Sequence, residues 1–512
     1  MNRPTLSLIA GVCALAAVTG FAALTTPDAS GAGAAAAGTA TKLPVERTSL
    51  VCPTPSMSDL AETAYTSFTP VTKGAGGGGT AQLRAAGTRP GTGAGGKDGA
   101  GTDTSGKASG KAGKPVLKGG EPGRPSTGKA SGAGSPALVG TADGRFAPGW
   151  SVQQTTEVAT GSGRGLQGVN CTAPDTDFWF PGASAAPDRT DYVQLTNPDD
   201  STAVVDIELY GKDGALEGKA GEGITVQPRS AEPVLLSTLT AEKPDNVTVR
   251  VSVRSGRVGA SVQALDDKLG GDWLAASADP AGSLVVPGIP KDATSVRLVV
   301  FAPGDADADL KVRLASPSAL ITPAGNESLA VKAGMTAAVD LGDVMRGEAG
   351  SLVLTPADRS VPVVAAVRVV RGKGTRQETA FIPATRPVAA RATVADNRAK
   401  GTTLSVAAPF GAAEVRVTAS AGSGGGAPAS KTYTIKAGTT QEVPVPVPSG
   451  LKGTYALTVE TVSGGPAYAS RTLTVPRDGV EAFTVQTLPD DRGTVSVPRA
   501  RQDLSVLQRS GG

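Results

Sequence analysis

Three landmarks that hold one register over two long intervals constrain this chain more than any other feature. Asn197-Pro198, Ala302-Pro303 and Ala408-Pro409 each close a strand-like run, at spacings of 105 and 106. The runs are Tyr192–Thr196, Val296–Phe301 and Thr403–Ala407, and an alternating stretch follows each: Val204–Tyr210, Leu310–Leu314 and Glu414–Thr418. Ile224–Pro228 matches Leu329–Ala333 and Tyr433–Ala437, and Val258–Ser261 matches Val363–Ala366 and Ala467–Ser470, each pair of intervals being 105 and 104. Self-similarity at a fixed period is the signature of a tandem array. Three units of about 105 residues are therefore expected.

Each unit carries about seven short runs of period-2 alternation separated by Gly, Pro and Asp turns. In Val247–Arg254 valines take one face and Thr, Arg and Ser the other. Seven short strands per repeat predict a mainly β chain of tandem immunoglobulin-like β-sandwich repeats. A hydrophobic-Pro step occurs at Phe180-Pro181, Val286-Pro287, Ile382-Pro383 and Leu488-Pro489. Read as the end of each sandwich's last strand, it adds a fourth, degenerate unit at the N-terminal side. Repeats are then expected over 183–290, 291–385 and 386–490, with a C-terminal tail over 491–512. The first unit would combine a β segment over 43–70 with its completion over 138–182.

Composition explains the gap in that first unit. Residues 71–137 are dominated by Gly, Ala, Lys and Ser, too little apolar surface to offset chain entropy, so a disordered Gly/Lys-rich tract is expected there. From Lys73 to Gly134 ten Lys/Arg stand against Asp98, Asp103 and Glu121, whereas the whole chain carries only +3. The rest is thus mildly acidic, and no aromatic lies between Phe68 and Phe146. Both points argue against nucleic-acid binding and for a solvated basic tether, with anionic wall polymers or lipid headgroups as the other partners considered.

The N-terminus carries Arg3 ahead of an uncharged apolar run from Leu6 to Leu24, with Asp28 after it. This predicts export, with residues 1–27 as an N-terminal transmembrane helix acting as signal anchor, or as a cleaved signal peptide, and 28–42 as a flexible linker. Cys13 lies in that run, leaving Cys52 and Cys171 as an even pair in an oxidising compartment. A disulfide between them is expected.

Little chemistry is legible. The chain has no histidine, which removes Ser-His-Asp and Cys-His nucleophilic sites and zincin motifs. Gly91…Lys97, Gly101…Lys107 and Gly123…Lys129 share the spacing of a phosphate-binding loop, yet Asp98, Ala108 and Ala130 replace the required Ser/Thr. Asp305-Ala-Asp307-Ala-Asp309 starts like a calcium loop but has Leu310 and Ser316 where glycine and glutamate belong. Asp199-Asp200 and Asp266-Asp267 read as solvated turns. Trp150, Trp179, Trp273, Tyr192 and Tyr210 are the aromatics able to platform a sugar, with core packing their commoner fate. No catalytic residue, metal ligand or cofactor is expected.

Leu50-Val-Cys-Pro53, Cys171, Phe178-Trp-Phe-Pro-Gly182, Tyr192–Pro198, Val204–Gly211 and Gly256–Ala260, taken with the apolar N-terminus, resemble an actinobacterial family of secreted or membrane-anchored proteins. That family is catalogued only as a domain of unknown function. The resemblance implies export and a largely β ectodomain, transfers no catalytic residue, and hints at envelope glycan work because members are encoded near cell-envelope glycosyltransferases. The expected function is a non-enzymatic exported envelope protein: a membrane-tethered β-sandwich rod that binds an envelope protein or cell-wall polymer. The alternatives are an accessory subunit of a membrane glycosyltransferase or envelope polymer-export system, and a soluble secreted glycan-binding protein.

Overall fold

A computed structural model describes residues 41–87, 114–477 and 480–498. Residues 44–493 form one compact unit; the described part of a second is a small sheet of Thr41–Pro44 with Thr494–Val497. The apolar run Leu6–Leu24 lies outside the described residues, and no helix among the described residues is long and apolar enough to cross a membrane.

The larger unit holds four β-sandwiches, each of two antiparallel sheets closed on one apolar core. The second shows the pattern. Its first, fifth and third strands, Asp177–Ala183, Val247–Ser255 and Ala203–Gly211, lie side by side in one sheet. Its fourth, second, sixth and seventh strands, Ala231–Leu235, Arg189–Thr196, Gly259–Asp266 and Gly270–Leu274, form the other. The same order recurs in all four sandwiches. Period-2 alternation is the cause: Val205, Ile207 and Leu209 point inward opposite Val253, Val251 and Val249 across the ladder, while Asp206 and Glu208 face out.

Three expectations need correction. The chain changes sheet at every strand until the final hairpin, whereas an immunoglobulin sandwich keeps its first two strands in one sheet. The repeat is a two-sheet sandwich of different connectivity. Second, the hydrophobic-Pro step is two features, not one. Phe180-Pro181 and Val286-Pro287 fall in first strands, and Ile382-Pro383 and Leu488-Pro489 fall at last strands. Sandwiches therefore begin at Asp177, Leu284 and Arg391, and Cys171 follows its sandwich's last strand, Gly165–Asn170. Third, the tract expected to be disordered contains strands Ala81–Ala85, Leu117–Lys118 and Ser126–Ser131 of the first sandwich. Leu83 and Leu117 are buried there, enough to fix strands that the surrounding Gly and Lys obscure. What remains is an insertion spanning 88–113, between the third strand and its short edge neighbour.

The four sandwiches close on one another, which replaces the expected rod within residues 44–493. Their last strands, Gly165–Asn170, Gly270–Leu274, Arg376–Pro383 and Val480–Thr487, meet in a cycle: first against second, second against third, third against fourth, fourth against first. Phe381 enters the core of the second sandwich, Phe483 and Val485 enter that of the third, and Leu166 packs on Leu473 and Ala482 of the fourth. Each buried aromatic or aliphatic of this kind stabilises its junction by about 1.5–3 kcal/mol. Turning the seventh strands inward also removes four sheet edges from solvent.

Candidate functional site

The most distinctive chemistry lies where the four last strands converge. Asp272, from Gly270–Leu274 of the second sandwich, is fully buried. The Gly168 amide of the first sandwich donates to its Oδ1 at 3.0 Å, and the Thr484 hydroxyl of the fourth donates to the carboxylate at 3.0 Å. Gln486 Nε2 in turn donates to Thr484 Oγ1 at 2.7 Å. Only glycine fits at 168, because a Cβ would overlap the Thr484 and Gln486 side chains. That close approach is what lets one carboxylate join three sandwiches.

The third sandwich contributes Glu378, buried against Gly165. Burial pushes its carboxyl up to about 7, against the pull of Arg164 and Arg477. Burial likewise raises Asp272 well above the ordinary carboxylate range, and the Glu378 charge adds to the rise while its hydrogen bonds oppose it. Arg164 ties the same seam by donating to the carbonyls of Lys268, at 2.6 Å, and Gln377, at 3.1 Å. The cluster can hold protons and lock sandwiches together. Among the described residues no group of three His, Cys, Asp or Glu could hold a metal ion.

Around this seam each junction has its own fastening. Between second and third sandwiches, Trp179, Tyr210 and Phe301 stack at centroid distances of 4.6–6.4 Å with Arg250 over Trp179. There too Arg368 donates to Asp266 at 2.6 Å. Arg371 bridges Asp292 and Glu481 over the Phe483 ring between third and fourth. The closure of fourth on first adds polar contacts to its apolar ones: Arg398 with Glu157 at 3.3 Å, and Arg477 donating to the Val158 carbonyl at 2.7 Å, beside Phe68 packed on Ala395 and Ala456.

Cys52 and Cys171 are joined in a disulfide that ties the first strand of the first sandwich to the residue after its last. A buried disulfide of this kind points to an oxidising, extracellular-type environment. The three tryptophans are all buried: Trp150 donates to Ser67, Trp179 belongs to the aromatic stack, and Trp273 lies within the last strand of its sandwich. None offers a face to a sugar, while Tyr192 and Tyr210 are half-buried. Asp309 lies in the strand Ala308–Ala315, opposite Ala330, and Asp307 accepts from the Ala333 amide. Gly128-Lys129 lies within strand Ser126–Ser131, and the two earlier near-matches to a phosphate loop fall wholly on residues 88–113, outside the described residues. Asp199 and Asp266 are not free turn residues, since Arg257 chelates the first at 2.9 Å and Arg368 pairs with the second.

Sequence reading did not single out Asp272, Glu378, Thr484 or Gly168. One signal was present: Asp272 and Thr484 stand at the same step of their hairpins, opposite Ala264 and Leu473, which lie six residues past Val258 and Ala467. An open groove of about 570 Å³ elsewhere is lined by Gly120, Glu121, Arg124 and Ser126 of the first sandwich and Ser423 and Gly424 of the fourth. A single carboxylate there does not make the acid pair that glycoside hydrolysis takes.

The family model for a family of unknown function (DUF5719) matches residues 126–446. Nothing among the curated proteins or the solved structures matches the chain. The match spans well over half of the sequence, and the chain belongs to that family.

Proposed function

We propose that this member of the DUF5719 family is a non-catalytic exported scaffold that works by binding an envelope protein or cell-wall polymer on its outer surface. The observation carrying this reading is how the chain spends its chemistry. Trp179, its most perturbed carboxylates and several of its arginines are committed to holding sandwiches together, and Trp150 is buried in the core of the first. Function is then left to surfaces and to the Gly/Lys-rich insertion of residues 88–113. The disulfide supports the exported setting, and the apolar run Leu6–Leu24 supports tethering to the outer face of the plasma membrane.

Affinity capture from detergent-solubilised envelope of the native host, with the full chain as bait, tests the reading. Specific retention of a wall polymer or an envelope protein is the expected result. A glycosyltransferase or polymer exporter as the retained partner would move the assignment to an accessory subunit. Turnover of an envelope glycan by the purified chain would overturn it.

A further inference from the structure

In the first three sandwiches the sheet edge beside the third strand is kept short. It is Leu117–Lys118 in the first, Gly214–Ala215 and Ile224–Val226 in the second, and Leu320–Ile321 and Ser328–Val331 in the third. Broken edges of this kind are how sheets avoid pairing with another chain. The fourth sandwich differs. Its edge strand Ala429–Ile435 runs seven residues in unbroken register with Ala413–Ala419, without a bulge or a proline. Among the described residues no strand pairs with its outer side. Other edges of the four sandwiches are weaker templates: Ser126–Ser131 contains Gly128, Ala231–Leu235 contains Pro233, Thr336–Asp340 and Thr439–Val443 are only five residues long, and the first strands Asp177–Ala183 and Leu284–Ile289 are largely buried.

We infer that Ala429–Ile435 pairs antiparallel with the same strand of a second copy, on a two-fold axis through Thr432. The sequence of the strand selects this occupant because it is complementary to itself. With Thr432 facing Thr432 of the partner copy, Lys431 falls opposite the partner's Tyr433, Ser430 opposite the partner's Thr434, and Ala429 opposite the partner's Ile435. Thr–Thr, Ser–Thr and cation–aromatic pairs are each favourable across a ladder, and no like charges meet. Lys431, the residue that would guard an edge, already lies toward the Tyr433 ring, 5.2 Å from its centroid. Thr432 and Thr434 are exposed and free of core duties. A closed two-fold contact of this kind stops at the dimer and does not propagate.

Sedimentation equilibrium on the full chain in mild detergent, compared with Thr432→Glu and Thr432→Lys, tests the inference. The wild-type chain is expected to reach the dimer mass. Each variant places like charges directly opposite on the axis, and its dissociation constant should rise at least tenfold. An equimolar mixture of the two should recover the dimer, because Glu then faces Lys; a merely structural defect at 432 would not be rescued this way. A wild-type chain that stays monomeric at 100 µM overturns the proposal, as does a dimer indifferent to either substitution.

Discussion

Glu378 and Asp272 hold protons where ordinary carboxyls have lost them, and this gives the molecule a pH dependence of definite sign. Glu378 titrates at about 7 in the folded chain against 4.5 as a free side chain. Below 4.5 both states are protonated and nothing is lost. As pH rises from 4.5 to 7 the unfolded chain releases the proton first, so stability falls and then levels off, by no more than about 3.5 kcal/mol. The midpoint of urea unfolding is expected to decline over that window in the wild type and to flatten there in Glu378→Gln; equal slopes would refute the assignment. Arg471 is the second residue of note. It is fully buried and unpaired at Nε and Nη1, while the aligned positions of the second and third sandwiches are Val262 and Val367. Its partner charge, Asp396, sits at the first-strand bulge with φ of 58°, where the other two sandwiches use Gly182 and Gly288. Replacing a buried ionic group by apolar residues is often neutral or stabilising. The double change Arg471→Val with Asp396→Gly should raise the thermal midpoint, whereas Arg471→Val alone, which leaves Asp396 buried without its partner, should lower it. A lower midpoint in the double variant would contradict this.

At the scale of elements, the first sandwich is assembled from segments that the insertion separates, and the disulfide links residues 119 apart around them. In the chain-entropy picture that link contributes about 4–5 kcal/mol. Cys52→Ala with Cys171→Ala is expected to expose the first sandwich to limited proteolysis, while fragments holding the third and fourth sandwiches, from about Leu284 onward, persist as protected cores. Uniform protection would show the link to be dispensable. The insertion itself leaves from and returns to a hairpin, since Leu83 pairs with Leu117 and the Val116 amide donates to the Leu83 carbonyl. Cutting residues 88–113 to a short Gly-Ser turn should therefore shift stability by no more than about 2 kcal/mol, read as a small change in thermal midpoint. The strands themselves were legible wherever alternation was clean, as in Val247–Arg254. They were hidden at Ala81–Ala85 and Ser126–Ser131, where two or three apolar contacts decide the fold amid Gly, Lys and Ser. Thr69-Pro70 after the strand Ala61–Phe68 was the missing landmark. It precedes Pro198 by 128 residues against 105 and 106 later, because the insertion lengthens that interval.

For residues 44–493 as a whole, the repeat was readable but its closure was not. Sequence periodicity reports what each sandwich buries in itself. The contacts that close the cycle come from single residues that break the repeat: Gly168 against Asp272, Glu378 beside Gly165, Arg398 with Glu157. A buried acid in Gly270–Leu274 reads as a turn residue until the strand that covers it is known. The candidate site was illegible for the same reason, since each sandwich supplies only one or two of its members. The central claim is that the fourth sandwich closes on the first. Cysteines at Glu157 and Arg398, whose side chains meet at 3.3 Å across 241 residues of sequence and are partly exposed, test it most directly with a short bis-maleimide. The closed arrangement predicts one intramolecular cross-link joining the two peptides at monomer mass. Cross-links found only between chains, or two singly labelled cysteines, would contradict it.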